Sequence, residues 1–264
     1  MSGPNSYVWG VTLVDAAGTA SRAWLGALKL LAGSQRRGYF REMPGGTAEI
    51  VTGAPFPSLN GVAAVTLDPS PDEIAELAGS PRLQEVSWTI HVRGDDVDER
   101  IAEIASKHGL TGSMSQPFLV RALTDADAAG VPFARRITDA DSVTYQRTMA
   151  AGFEAPEPLF TIFAEPAVLA LPGASGYLVE VDGVPVATAF GVQVGDQVGV
   201  FNIAVPPAFR SKGYGRLATA AVLHDAYAAG ARTAFLHATP DGLSLYRAMG
   251  FELAENWTVF AAGA

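Results

Sequence analysis

Apolar residues in the second half of the chain recur with two alternating periods, and the switches between them mark out the elements. Residues 198–205 form a short Val- and Ile-rich run that predicts a strand. Tyr214, Leu217, Ala218, Ala221 and Val222 then recur at helical spacing, predicting a helix that ends near Ala229. Residues 233–238 predict the next strand, 241–249 a short helix capped by Gly250, and 257–260 a last strand. Upstream, 177–181 and 184–192 flank Asp182-Gly183, a strong hairpin signal, and 198–205 is the natural next antiparallel strand. Before the hairpin, 131–137 predicts an opening strand. Thr138, Asp139 and Asp141 offer caps for a helix to about Ala151 stopped by Gly152, and a proline-rich passage spans 156–172.

The first half carries a fainter version of the same ending. Residues 86–92 predict a strand, 98–107 a helix, His108-Gly109-Leu110 a stop and 118–121 another strand. An internal duplication and an unrelated α/β cap both remain open for this half. Trp24, Leu25, Leu28, Leu30 and Leu31 predict the buried face of one helix, and 55–61 a loop into a strand. Asp95, Asp96 and Asp98 stand next to a helix start, where carboxylates compensate the dipole. An Asp/Ala/Gly stretch separates the halves, giving an accessory region 1–123, a linker 124–132 and a second domain 133–264.

Composition narrows the function classes. The 264 residues, 48% of them hydrophobic, suffice for one large or two modest cores. Without cysteine, disulfide and thiolate chemistry are excluded. His91, His108, His224 and His237 lack metal-ligand spacing and read as structural or solvent-facing, so no metal is expected. A net charge of −9 disfavours nucleic acid and mildly favours a cationic substrate. The chain start lacks a basic leader with an apolar core, and no apolar run approaches the roughly 18 residues of a membrane helix. A soluble cytoplasmic protein is the expectation.

The chemistry concentrates at Arg210-Ser211-Lys212-Gly213-Tyr214-Gly215, between the 198–205 strand and the following helix. A helix start has N–H groups without intrahelical partners and partial positive charge, so it suits phosphate oxygens. Arg210, Lys212 and Arg216 add three cations around the turn. Gly213, Gly215 and Ala218 also fit the dinucleotide fingerprint G-x-G-x-x-A. However, 206–212 separates the strand from the glycines, and the next strand ends near His237 rather than in an acid. A Walker loop is absent.

About thirty residues downstream lies Thr239-Pro240-Asp241-Gly242-Leu243-Ser244-Leu245-Tyr246-Arg247-Ala248-Met249-Gly250-Phe251. An Arg-x-x-Gly-x-Gly loop, a strand, then a short helix carrying Leu-Tyr and ending in Gly-Phe resembles the GNAT acyltransferase superfamily, over about residues 131–260. The resemblance implies an α+β fold with a central, mostly antiparallel sheet flanked by helices. Tandem domains occur in that family, and here the first would have lost its cofactor site: Ala105 stands where the second half has Tyr246, and no Arg-x-x-Gly-x-Gly precedes Val86.

The resemblance further implies acyl transfer from acetyl-CoA to an amine. Pantetheine would pair with Asn202, Ile203, Ala204 and Val205. The pyrophosphate would meet the N–H groups of Ser211, Lys212, Gly213, Gly215 and Arg216 around Tyr214, with the side chains of Arg210 and Lys212 reaching the outer phosphates. Tyr246 would protonate the departing thiolate. Thr239 occupies the place where many relatives have asparagine. The general base stays open, with Glu154, Glu157 and Glu180 or a water chain as the choices. The partner expected is a small-molecule amine, with the protein a monomer or homodimer and strand exchange through the C-terminal segment conceivable. A noncatalytic acyl-CoA sensor is the alternative, and a nucleotide-dependent oxidoreductase a third reading.

Overall fold

The computed structural model describes residues 7, 8 and 11–263. Most of the chain start read for a leader therefore lies outside the described residues. Two compact units share the chain: Met1–Leu119 with His237–Thr239 and Leu253–Ala264, and Val120–Leu236 with Pro240–Glu252. Each is a mixed sheet with helices packed on it.

The first unit begins with β1 (Tyr7–Val8), β2 (Val11–Thr12) and α1 (Leu13–Ser34), followed by β3 (Tyr39–Glu42), β4 (Thr47–Val51), β5 (Gly61–Ala64) and α2 (Pro71–Ala78). Next come β6 (Thr89–Arg93), α3 (Glu99–Lys107) and β7 (Gly112–Ala122), which runs into the second unit. There the order is β8 (Ala134–Arg136), α4 (Ser142–Phe153), α5 (Thr161–Ala164), α6 (Pro166–Leu169), β9 (Ala174–Val181), β10 (Val184–Val194), β11 (Gln197–Ala204), α7 (Tyr214–Ala228), β12 (Thr233–His237) and α8 (Leu243–Ala248). The closing β13 (Glu252–Ala261) falls almost wholly in the first unit.

The sequence of elements repeats. A helix, a three-strand antiparallel ladder, a helix, a strand parallel to the third, a helix and a last strand occur as α1 to β7 and again as α4 to β13, with extra short helices in the second. One difference matters for function. In the first unit β5 pairs with β6 along its whole length, Gly61↔Thr89 to Ala64↔Val92. In the second, β11 pairs with β12 only from Gln197↔Thr233 to Gly199↔Phe235 and then parts from it.

Alternation along β6 builds two faces of the first unit. Ile90 and Val92 join the aliphatic core with Ile74, Leu77, Ile101 and Phe260. On the opposite face His91 meets Trp24 of α1, whose ring also contacts His237 and Trp257, with Phe118 closing the cluster. Trp24, Leu25, Leu28 and Leu31 are buried as expected, whereas Leu30 is only half-buried because its position turns away from that stripe. Arg93 is buried in a two-pronged ion pair with Glu255 of β13, at 2.7 and 2.8 Å, and also donates to the Val65 carbonyl.

In the second unit, α4 covers one sheet face through Tyr145, whose hydroxyl donates to the Ala189 carbonyl. Helix α7 covers the other through Val222 against Gly191, and Tyr177 donates to Asp225. The 182–183 hairpin forms as read, with both residues at positive φ. Three expectations need correction. Gly152 does not stop α4, which runs on to Phe153 and ends at Glu154 in the left-handed region. The opening strand shortens to Ala134–Arg136 because Phe133 takes φ 63°. Residues 125–128 of the expected linker form a 3₁₀ turn closed by a Thr124/Asp127 capping box, because their Asp and Thr side chains find backbone donors locally. Among the described residues no helix is long and apolar enough to cross a membrane, and no group of three or more acidic or imidazole side chains could hold a metal.

His91 and His237 are neutral by burial. Desolvation lowers His91 to about 4 and His237 to about 3, the latter lowered further by His91. Both ring nitrogens of His237 lack partners among the described residues and are shut off from solvent. The unfolded chain therefore takes up these protons first, near pH 6.5, and stability present above that pH is lost as the pH falls toward about 3. His237→Phe should flatten this acid limb. Melting temperatures of wild type and variant between pH 7 and 4 test it, and parallel curves would refute the assignment.

Candidate active site

The glycine loop joins β11 to α7 as expected, and the first internal bond of the helix runs from Leu217 N to Gly213 O at 3.2 Å. The N–H groups of Tyr214, Gly215 and Arg216 precede that bond and open outward at the helix start. Ser211, at φ 61°, and Gly213, at φ 86°, curl the backbone into this mouth. The two glycines do different work. A Cβ on Gly213 would meet no atom within 4 Å, so its φ is what requires glycine. A Cβ on Gly215 would sit 3.3 Å from Leu245 of α8 and 3.6 Å from Val205, so there close packing is the constraint.

The strand side of the site is distorted to match. Asn202 takes φ 52°, and the register between β10 and β11 slips there: Phe201 faces Phe190, whereas Ala204 faces Thr188. This bulge lies just beyond the point where β11 leaves β12. Asn202 and Ile203 are half-buried, Thr188 Oγ1 donates to the Asn202 carbonyl, and the Asn202 amide nitrogen is buried with no partner among the described residues. Peptide groups along this stretch can therefore bond an extended amide-bearing chain laid in the gap.

The side chains of the cradle are disposed unevenly. Arg210 turns inward: its guanidinium donates to the carbonyls of Val205 (3.1 Å) and Gly152 (2.9 Å) and pairs with Glu154 at 2.9 Å. It braces the loop against the end of α4, so the expected reach to outer phosphates is not the conformation present. Lys212 is exposed and bonds the Ala208 carbonyl, and Arg216, also exposed, bonds the Ala248 carbonyl at 2.9 Å. Gly152 and Glu154 thus join the site as supports that sequence reasoning missed. Gly152 carries a recognisable signal only in retrospect: a Cβ there would stand 2.7 Å from Ala204 Cβ and 2.8 Å from Val205 N.

Tyr246 lies on α8, beside the Leu245 that packs on Gly215, with its ring edge-on to Phe251 at 5.9 Å. Burial pushes the phenol up to about 12, so it stays protonated at neutral pH, and no hydrogen bond holds its hydroxyl among the described residues. Thr239 is exposed and belongs to the first unit. The three glutamates considered as bases are all ion-paired: Glu154 with Arg210, Glu157 with Arg147 at 3.6 Å, and Glu180 with Arg135.

Comparison with known proteins follows this geometry. Residues 140–251 match the family model described as the acetyltransferase (GNAT) family. No curated protein matches the chain. Among solved structures, a GCN5-related N-acetyltransferase from Kribbella flavida is similar at TM-score 0.65 and 20% identity, over 94% of this chain and 96% of that one. A protein assigned to the GNAT family from Novosphingobium aromaticivorans is similar at TM-score 0.52 and 16% identity, over 83% and 89% of the two chains. A conserved protein of unknown function from Staphylococcus epidermidis reaches TM-score 0.62 at 11% identity, over 86% and 95%. At these identities the likeness is one of fold, and it extends across both units.

The support by Gly152 is testable. Gly152→Ala is expected to destabilise the protein by about 1–3 kcal/mol through overlap with Ala204 and Val205. Urea unfolding measures the loss, and an unchanged midpoint would show that the strand end yields.

Proposed function

We propose that this protein, whose residues 140–251 match the acetyltransferase (GNAT) family model, transfers the acetyl group of acetyl-CoA to a small-molecule amine by direct attack on the thioester. The observation that carries this reading is the parting of β11 from β12 beyond Gly199, beside the open N–H groups that begin α7. Asn202 to Val205 hold the pantetheine, and Ser211 to Arg216 hold the pyrophosphate. In the reaction the amine nitrogen bonds to the thioester carbonyl carbon, the carbon–sulfur bond breaks, and the amine proton leaves to solvent or a base.

Tyr246 acts on the departing sulfur. A phenol near 12 is a weaker acid than a thiol, whose ordinary value is about 8.5, so complete transfer of its proton to a formed thiolate runs uphill. Its role is to donate a hydrogen bond that strengthens as negative charge builds on sulfur. The ion-paired glutamates leave the base unassigned.

The first unit reads as a second copy of the same fold without the donor site. Its β5 and β6 stay paired where β11 and β12 part. Its α2 begins with Asp72 and Glu73, and the Glu73 carboxylate already accepts the Gly45 N–H at 2.7 Å. Carboxylates at a helix start repel a phosphate. In this reading 1–123 is the accessory copy and 133–264 the catalytic one.

Calorimetric titration with acetyl-CoA, then thiol-release assays across a panel of amines, tests the proposal. Saturable binding with amine-dependent release is expected; binding without release would point to a sensor, and no binding would overturn the cradle. Tyr246→Phe should slow turnover about 10²-fold or more with little change in acetyl-CoA affinity. Unchanged turnover would reduce Tyr246 to packing against Phe251.

A further inference from the structure

Aromatic rings close the end of the gap where β11 and β12 converge. Gly199 and Phe235 are partners in the last paired position of the two parallel strands and share a face of the sheet. Phe201, two residues beyond Gly199, belongs to the same face. Its ring turns back over the glycine: a Cβ on Gly199 would stand 2.4 Å from Phe201 Cε2 and 2.8 Å from Phe235 Cζ. Gly199 is not among the positive-φ residues, so it is the ring above it and not the backbone that calls for glycine. The Phe201 and Phe235 rings meet edge to face, with centroids 6.2 Å apart and planes at 83°.

We propose that Phe201, backed by Phe235, sets the acyl specificity of the site. It stops the donor's acyl group at the closed end of the gap, so that acetyl and propionyl groups are admitted and medium-length chains are refused. This inference rests on the acyl-CoA reading above, which gives the donor its direction. With the pyrophosphate at the 211–216 turn and the pantetheine along Asn202 to Val205, the thioester end runs toward Gly199, where the strands meet. A strand advances about 3.3 Å per residue, so Asn202 lies only about 10 Å from that last paired position. The Phe201 ring occupies the face within that length.

The ring has little room to yield. Phe235 behind it is fully buried. On its other side stands its register partner Phe190 of β10, also buried and in ring contact with Phe163 of α5 at 6.2 Å. Interiors packed in this way have few voids into which a ring can retreat. Phe201 itself is half-buried, so one flank stays open. A methyl group needs only that flank, whereas a longer chain needs the volume that the ring fills. One methylene against a hydrophobic wall is enough to discriminate about tenfold or more.

The test is calorimetric titration of the full-length protein with coenzyme A, acetyl-CoA, propionyl-CoA and hexanoyl-CoA, for wild type, Phe201→Leu and Phe201→Ala. In the wild type, hexanoyl-CoA is expected to bind about tenfold or more weakly than acetyl-CoA, with propionyl-CoA close to acetyl-CoA. Phe201→Ala leaves a hollow beside Gly199, Phe190 and Phe235 and should shrink the acetyl-to-hexanoyl preference about tenfold, with Phe201→Leu in between. Equal wild-type affinity for acetyl-CoA and hexanoyl-CoA, or a preference in Phe201→Ala that matches the wild type, overturns the acyl stop alone. A wild type that binds neither coenzyme A nor any of its thioesters overturns both this inference and the acyl-CoA reading. Should Phe201→Ala fail to fold, the wild-type series and Phe201→Leu decide.

Discussion

Backbone groups left without partners inside a sheet are costly, and β11 leaves a run of them where it parts from β12 after Gly199. The surroundings are arranged to hold that gap open. Asn202 takes a left-handed conformation that shifts the register on the β10 side, Gly152 lets α4 approach the strand end, and Arg210 ties Val205, Gly152 and Glu154 into one knot. Left-handed non-glycine residues are individually unfavourable, so Asn202, Glu154 and Ser211 together mark where the chain tolerates strain to keep a shape. The helix that follows inherits its orientation from this knot, and with it the direction in which its first N–H groups point.

The same sequence of elements without the gap makes a different object. In the first unit the parallel strands stay zipped, the helix start is occupied by acids, and one face of the sheet is filled by a cluster of rings and a buried Arg93–Glu255 pair. A buried ion pair of this kind contributes little net stability when complete but is costly to break. One order of elements is thus run twice, once with its parallel strands parted and once with them paired along the whole of β5.

Much of this was legible in the chain. The 182–183 turn, α7, α8 with its Gly250 stop and the glycine loop all follow from local chemistry, where residue type and conformation agree over a few positions. What was not legible depends on neighbours far apart in sequence. The sequence marks Gly152 as a helix stop, because nothing local shows that it faces Ala204 and Val205. Arg210 reads as a phosphate ligand because its carbonyl partners have no sequence signature. Asn202 is the intermediate case: its polar side chain draws notice on an apolar strand, but its positive φ does not show. The 125–128 turn reads as a linker from composition alone, and the side chains that fasten it to α7 lie about a hundred residues away.

The allocation of β13 bears on how the molecule comes into being. Trp257 and Phe260 complete the two faces of the first unit's sheet, yet they follow β6 by some 160 residues. A chain emerging from the ribosome in order would hold β6 with an uncovered edge until β13 has been made. Closing it is a contact across some 160 residues, the slowest kind of step that topology imposes.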